Sequence, residues 1–133
     1  MSAVSGPLAG KPVAAIVDDD RRIVESLVEL LESAGYEARG FASAAGLLAA
    51  GLADLQVLVT DIGMPGLDGF ALQRRVAAAR PELPVFFISG RDGFAGDPRL
   101  ARARGFFRKP FDAIALLGAI EAAIATNEEE DKT

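Results

Sequence analysis

Apolar residues along the chain fall into two kinds of pattern. Three short runs, Val13 to Val17, Leu55 to Val59 and Val85 to Ile88, carry no sustained apolar–polar alternation. Runs of this kind suit parallel strands covered on both faces. Between them the spacing turns helical. Ile23, Val24, Leu27, Val28, Leu30, Leu31 and Ala34 mark one face of a helix that Gly35 can end. A further strand is expected over Tyr36 to Phe41, then a short helix capped by Ser43 and running to Ala50. Phe70 to Arg80 reads as a helix stopped by Pro81. Gly105 to Phe107 supplies a fifth strand, and Ala113 to Thr126 a last helix with Ile114, Leu117, Ile120, Ala123 and Ile124 turned inward. Between the fourth and fifth strands, Gly93, Gly96 and Pro98 predict a helix that is short or irregular.

Strand and helix thus alternate five times. With right-handed crossovers this predicts an α/β domain, a doubly wound five-stranded parallel sheet of flavodoxin-like order 2-1-3-4-5 with helices on both faces. Ligands in such sheets sit beyond the carboxyl ends of the strands. The runs end there on Asp18 and Asp19, on Asp61, on Ser89 and on Lys109. Three carboxylates brought together repel one another unless a cation neutralises them.

Composition narrows the chemistry. The 133 residues suit one domain, expected to occupy residues 12–126 between a flexible leader, 1–11, and an acidic disordered tail, 127–133. Neither cysteine nor histidine is present. Thiolate and imidazole chemistry are therefore excluded, and any metal held by carboxylates should be hard, such as magnesium. The net charge is −5, much of it in the run Glu128 to Asp131. A mildly acidic body argues against direct nucleic-acid binding, which needs a basic footprint. No apolar run approaches the roughly 18 residues of a membrane span, and no secretory leader is seen. The expectation is a cytoplasmic protein without membrane contact.

Several bland readings compete. Asp18, Asp19 and Asp20 precede a helix, where acids are favoured as caps. Asp61 and Ser89 can be turn residues, and Lys109 a solvated charge. Arg99, Arg102, Arg104 and Arg108 suit a solvated face better than a partner-binding one. A phosphatase built on Asp18 and Asp20 lacks a downstream acidic pair, since only Asp112 follows Lys109 closely.

Taken together, the blocks Ile16-Val17-Asp18-Asp19, Thr60-Asp61-Ile62-Gly63-Met64-Pro65 with Asp68-Gly69, Ser89-Gly90, and Phe106-Phe107-Arg108-Lys109-Pro110-Phe111 resemble the receiver domains of two-component response regulators. The resemblance spans about Pro12 to Thr126, and Leu72 to Arg75 is similar to receivers of the nitrogen-fixation-regulator type. It implies that Asp61 accepts a phosphoryl group from a sensor histidine kinase or histidine phosphotransfer protein. Asp18, Asp19, Asp61 and the Gly63 carbonyl would hold Mg2+, with Mn2+ as an alternative. Lys109 would pair with a phosphoryl oxygen and Ser89 would hydrogen-bond the bound group. Phe106, three residues before Lys109, would turn inward in response. Gly63 and Arg91 would tune phosphoryl lifetime, and a cis peptide would precede Pro110. Such a domain is a self-modifying phosphoacceptor rather than a turnover enzyme.

Ser89 stands where threonine is more frequent and Phe106 where tyrosine is common. The interval from Ser89 to Lys109 is about two residues shorter than usual in the family. With no effector segment after Thr126, the expectation is a single-domain regulator that switches a contact with a downstream protein, with phosphorylation-dependent homodimerisation admitted. The alternatives are an interaction module that is never phosphorylated and the receiver part of a longer DNA-binding regulator.

Overall fold

A computed structural model describes residues 10–90, 94 and 96–131, with side chains described to residue 127. Five strands form one parallel sheet: β1 Val13–Val17, β2 Glu37–Phe41, β3 Val57–Asp61, β4 Val85–Ser89 and β5 Gly105–Arg108. Their spatial order is β2-β1-β3-β4-β5, the expected 2-1-3-4-5. Four α-helices accompany them: α1 Arg21–Ser33, α2 Ala44–Ala50, α3 Gly69–Ala79 and α4 Ala113–Asp131.

Every residue of β1, β3 and β4 is buried. That is why these three strands read as unbroken apolar runs, covered by helices on both faces. The edge strand β2 is only half-buried and its sequence, Glu-Ala-Arg-Gly-Phe, is correspondingly mixed. Ala15, Val17, Leu58 and Phe87 point into one core with Leu47, Phe70, Leu72 and Val76. Ile16, Val59, Phe86 and Ile88 point into the other with Leu27, Leu31, Leu116 and Ile120.

Local signals fix the helix ends. Asp20, Ser43 and Asp68 cap α1, α2 and α3, each accepting from a backbone N–H of the first turn. Gly35 follows α1 with φ +97°, a conformation glycine adopts without cost. The α3 end is tied down by Arg80, whose Nη1 donates to the Leu52 and Leu55 carbonyls at 2.7 and 2.9 Å.

Two expectations about the last helix are corrected. Ile114 is 82% exposed, while Leu116, two positions on, is fully buried. The inward stripe therefore begins at Leu116 and continues through Ile120 and Ala123; a helix this rich in apolar residues has no single face that its sequence could mark. The helix also continues to Asp131, past Thr126 and into the stretch expected to be a disordered tail. No Gly or Pro interrupts it there, and the Asn127 amide donates to the Glu82 carbonyl at 2.7 Å.

Between β4 and β5 the described chain forms a 3-10 helix, Pro98–Arg102, with Asp97 as its cap. The irregular fourth crossover is thus as predicted. Among the described residues no helix is long and apolar enough to cross a membrane.

Candidate functional site

The sheet order reverses between β1 and β3, and the crevice beyond their carboxyl ends collects the predicted residues. Asp61 is the last residue of β3 and only 6% exposed. Asp18 follows the last residue of β1 and is buried, while Asp19 is exposed. One carboxylate oxygen from each of the three lies within 4.8 Å of the others.

Lys109 reaches this cluster from the turn after β5. Its Nζ donates to Asp18 Oδ2 at 2.7 Å and to Asp61 Oδ1 at 3.3 Å. Register brings it there: Ser89 pairs with Arg108, and the Lys109 N–H donates to the Ser89 carbonyl at 2.8 Å. Ser89 itself is the buried last residue of β4. Four strand ends therefore converge on one rim. Asp61 and Lys109 are not separate turn or solvated residues, and Asp18 is both a turn residue and a member of the cluster: its Oδ1 accepts the Asp20 N–H at 2.8 Å while its Oδ2 accepts from Lys109. The bland reading holds for Asp20, which caps α1 and pairs with Arg22.

One ammonium stands beside three carboxylates, and the imbalance shows at Asp61. Burial is the main cause holding the Asp61 carboxyl above its ordinary pKa, and the Asp18 charge adds to it. The charge and hydrogen bond of Lys109 pull the other way without cancelling the shift. For Lys109, burial acts downward, but the hydrogen bond and charge of Asp18, then those of Asp61, carry its pKa upward. A partly buried cluster of oxygen ligands with excess negative charge fits a hard divalent cation.

Beside the cluster opens a cleft of about 470 Å3 whose walls include Asp19, Gly63, Met64, Asp68 and Phe94. Gly63 thus shares a cleft wall with Asp19. Phe106 is half-buried against the core that contains Phe87. The Lys109–Pro110 peptide is cis, as expected. Arg91 lies outside the described residues.

Gly69 is a residue whose importance sequence reasoning missed. Its Cα presses on the backbone of Asp61 and Ile62, so that a Cβ would collide with the Asp61 carbonyl oxygen. Its N–H donates to the Ile62 carbonyl at 2.9 Å. Glycine after a cap and before an apolar helix was the available signal, but it does not say what the backbone approaches. Thr60 was likewise passed over; its buried hydroxyl donates to the Asp61 carbonyl at 3.0 Å.

A doubly wound sheet with an acidic cluster at its switch point, met by a lysine from the end of β5, defines a class of α/β domains with a cation-binding rim. Residues 14–121 match the model of the response regulator receiver domain, and the chain belongs to that family. Similar curated proteins include the transcriptional regulatory protein FixJ of Azorhizobium caulinodans, 35% identical over 88% of this chain and 57% of its own length. The DNA-binding transcriptional regulator NtrC of Rhizobium meliloti is 38% identical over 83% of this chain and 23% of its own. This chain thus spans between about a quarter and three-fifths of these relatives. Among solved structures, the response regulator StyR superposes with TM-score 0.82 at 36% identity, covering 92% of this chain and 64% of that one. A CheY-like receiver domain from Methanospirillum hungatei gives TM-score 0.84 at 27% identity, over 91% and 99%.

Proposed function

We propose that this domain accepts a phosphoryl group on Asp61 from the phosphohistidine of a sensor histidine kinase or a histidine phosphotransfer protein, and thereby switches a contact with another protein. The observation that carries the reading is the Asp61 carboxylate at the mouth of the central strand, flanked by Lys109 at 3.3 Å and by two further carboxylates.

In the transfer, an Asp61 carboxylate oxygen forms the new bond to phosphorus as the phosphorus–nitrogen bond of phosphohistidine breaks and imidazole leaves. Asp61 needs no general base, because its reactive form is the carboxylate. Lys109 is placed to move from Asp18 and Asp61 to a phosphoryl oxygen, offsetting the charge that arrives. Asp18, Asp19, Asp61 and the Gly63 carbonyl would hold magnesium, or manganese in its place. A divalent ion there supplies the positive charge that draws phosphoryl oxygens into an acidic pocket. The Ser89 hydroxyl, at the end of the adjacent strand, would donate to the bound group and draw the following loop inward. Phe106 would then pack into the space left, a packing switch without a phenolic hydrogen bond. Gly63 and Arg91 would set how long the acyl phosphate survives hydrolysis. The same chemistry serves a receiver acting alone in the cytoplasm and one attached to a DNA-binding segment, as in the transcriptional relatives; phosphorylation-dependent pairing of two copies would serve either.

Incubation with magnesium and acetyl phosphate should give a phosphoryl adduct by intact mass that Asp61→Asn abolishes and chelation prevents. An unmodified wild-type chain beside a receiver labelled in parallel would refute the proposal. The 3-10 crossover between β4 and β5 favours one second reading, a receiver-like module that binds its partner without modification. Partner binding that is equal for wild type, Asp61→Asn and the beryllofluoride-treated chain would select it.

A further inference from the structure

A second cleft, of about 350 Å3, opens between α3 and the 3-10 helix and is lined by Phe70, Gln73, Arg74, Pro98, Arg99 and Arg102. Its size is that of a small-molecule site. Gln73 is the informative residue. It is 93% buried, since only 7% of its surface is exposed, yet among the described residues its side-chain amide has no hydrogen-bond partner. Neither amide atom is sealed inside the protein. With the rest of the residue buried and Gln73 in the cleft wall, that amide keeps two donors and an acceptor open to solvent and to a ligand seated there.

The arginines divide in two. Arg99 is already committed: its Nε and Nη2 pair with Asp97 at 3.1 and 2.8 Å, and its guanidinium lies 3.9 Å over the Phe70 ring. Arg74 and Arg102 are exposed at the mouth and have no ion pair among the described residues. The cleft thus joins two guanidinium groups without an ion pair among the described residues and the Gln73 amide to an apolar wall formed by Pro98 and the Phe70–Arg99 stack, with Phe94 packed edge-on against Phe70 at 5.7 Å. Guanidinium and amide donors together suit a carboxylate, and the wall suits a small apolar body.

We propose that this cleft is a binding site for a small organic carboxylate, the carboxylate held by Arg74, Arg102 and the Gln73 amide and the apolar body lying against Pro98 and the Phe70–Arg99 stack. None of its lining residues belongs to the acidic cluster, so a ligand there does not need the Asp61 carboxylate.

The test monitors backbone amide shifts of the full chain as sodium benzoate is added, with benzyl alcohol and inorganic phosphate as parallel probes that keep only the ring or only the charge. Benzoate should shift α3 and the 3-10 helix saturably and bind about tenfold tighter than either probe, the scale of one charge-assisted hydrogen bond. Arg74→Gln and Arg102→Gln should each weaken it about tenfold at an unchanged thermal midpoint, both residues being exposed. Binding should persist in Asp61→Asn. Gln73→Leu tests the amide, and the two arginine variants decide the matter if that variant does not fold. Lack of saturation, equal binding of benzyl alcohol or phosphate, or benzoate affinity untouched by both arginine substitutions would overturn the proposal.

Discussion

The Asp61 carboxylate is charged in a place that resists charge, and two consequences can be measured. Its pKa is raised by burial and by Asp18, so the native state binds this proton more tightly than the unfolded chain does. The metal-free fold therefore loses stability as pH rises from the ordinary value of 3.8 through the raised native value. Asp61→Asn removes the charged form and should raise the thermal midpoint in chelator at neutral pH by a few degrees, roughly the response to a change of ~1 kcal/mol. The gain should vanish below about pH 3.8, where both states of Asp61 are protonated. Lys109 acts in the opposite sense. Replacing it with Gln leaves Asp18 and Asp61 buried without their cation, and should cost about 3 kcal/mol in urea denaturation at neutral pH. Lys109 also has a raised pKa; its contribution is complete below its ordinary value of 10.5 and fades only as pH climbs through the native one.

Among the elements, α3 is set against the site through Gly69. Alanine is a better helix former than glycine by about 1 kcal/mol, but its Cβ would meet backbone at Asp61 and Ile62, atoms that cannot rotate away. Overpacking of this kind costs about 1–3 kcal/mol, so the clash should outweigh the propensity. Gly69→Ala should lower urea stability and slow acetyl-phosphate labelling, since any relief displaces the strand end that carries Asp61. A different limit applies to α4. Its sequence is apolar almost all round, and periodicity placed Ile114 inward where packing exposes it and buries Leu116. Only the seating of the helix on Phe86 and Ile88 selects the face. By contrast, α1 carries polar residues between its apolar ones, and Leu27 and Leu31 could be read directly. The crossover after β4 was legible as irregular because glycines and a proline are local signals, whereas the cleft it forms with α3 was not legible at all.

For the whole molecule, charge at the rim couples metal and stability. A divalent ion that binds the folded cluster and not the unfolded chain raises the thermal midpoint by mass action, worth about 2.7 kcal/mol at a hundredfold excess over its dissociation constant. Magnesium titration of the wild type should show this rise, and Asp19→Asn should shift it to higher magnesium while leaving the metal-free midpoint nearly unchanged, because Asp19 is exposed. The five-strand alternation, the strand-end positions of Asp18, Asp61, Ser89 and Lys109, and the family they resemble were determined by the chain's own order of residues. Parallel strands covered on both faces must be apolar, and the polar residues at their carboxyl ends must all emerge at one rim. The tertiary structure alone decided which carboxylates share Lys109, that Gly69 abuts Asp61, which face of α4 is buried and that Gln73 opens onto an arginine-lined cleft. Those are contacts between segments distant in the chain, fixed by strand register and helix packing, and no local pattern of polar and apolar residues encodes them.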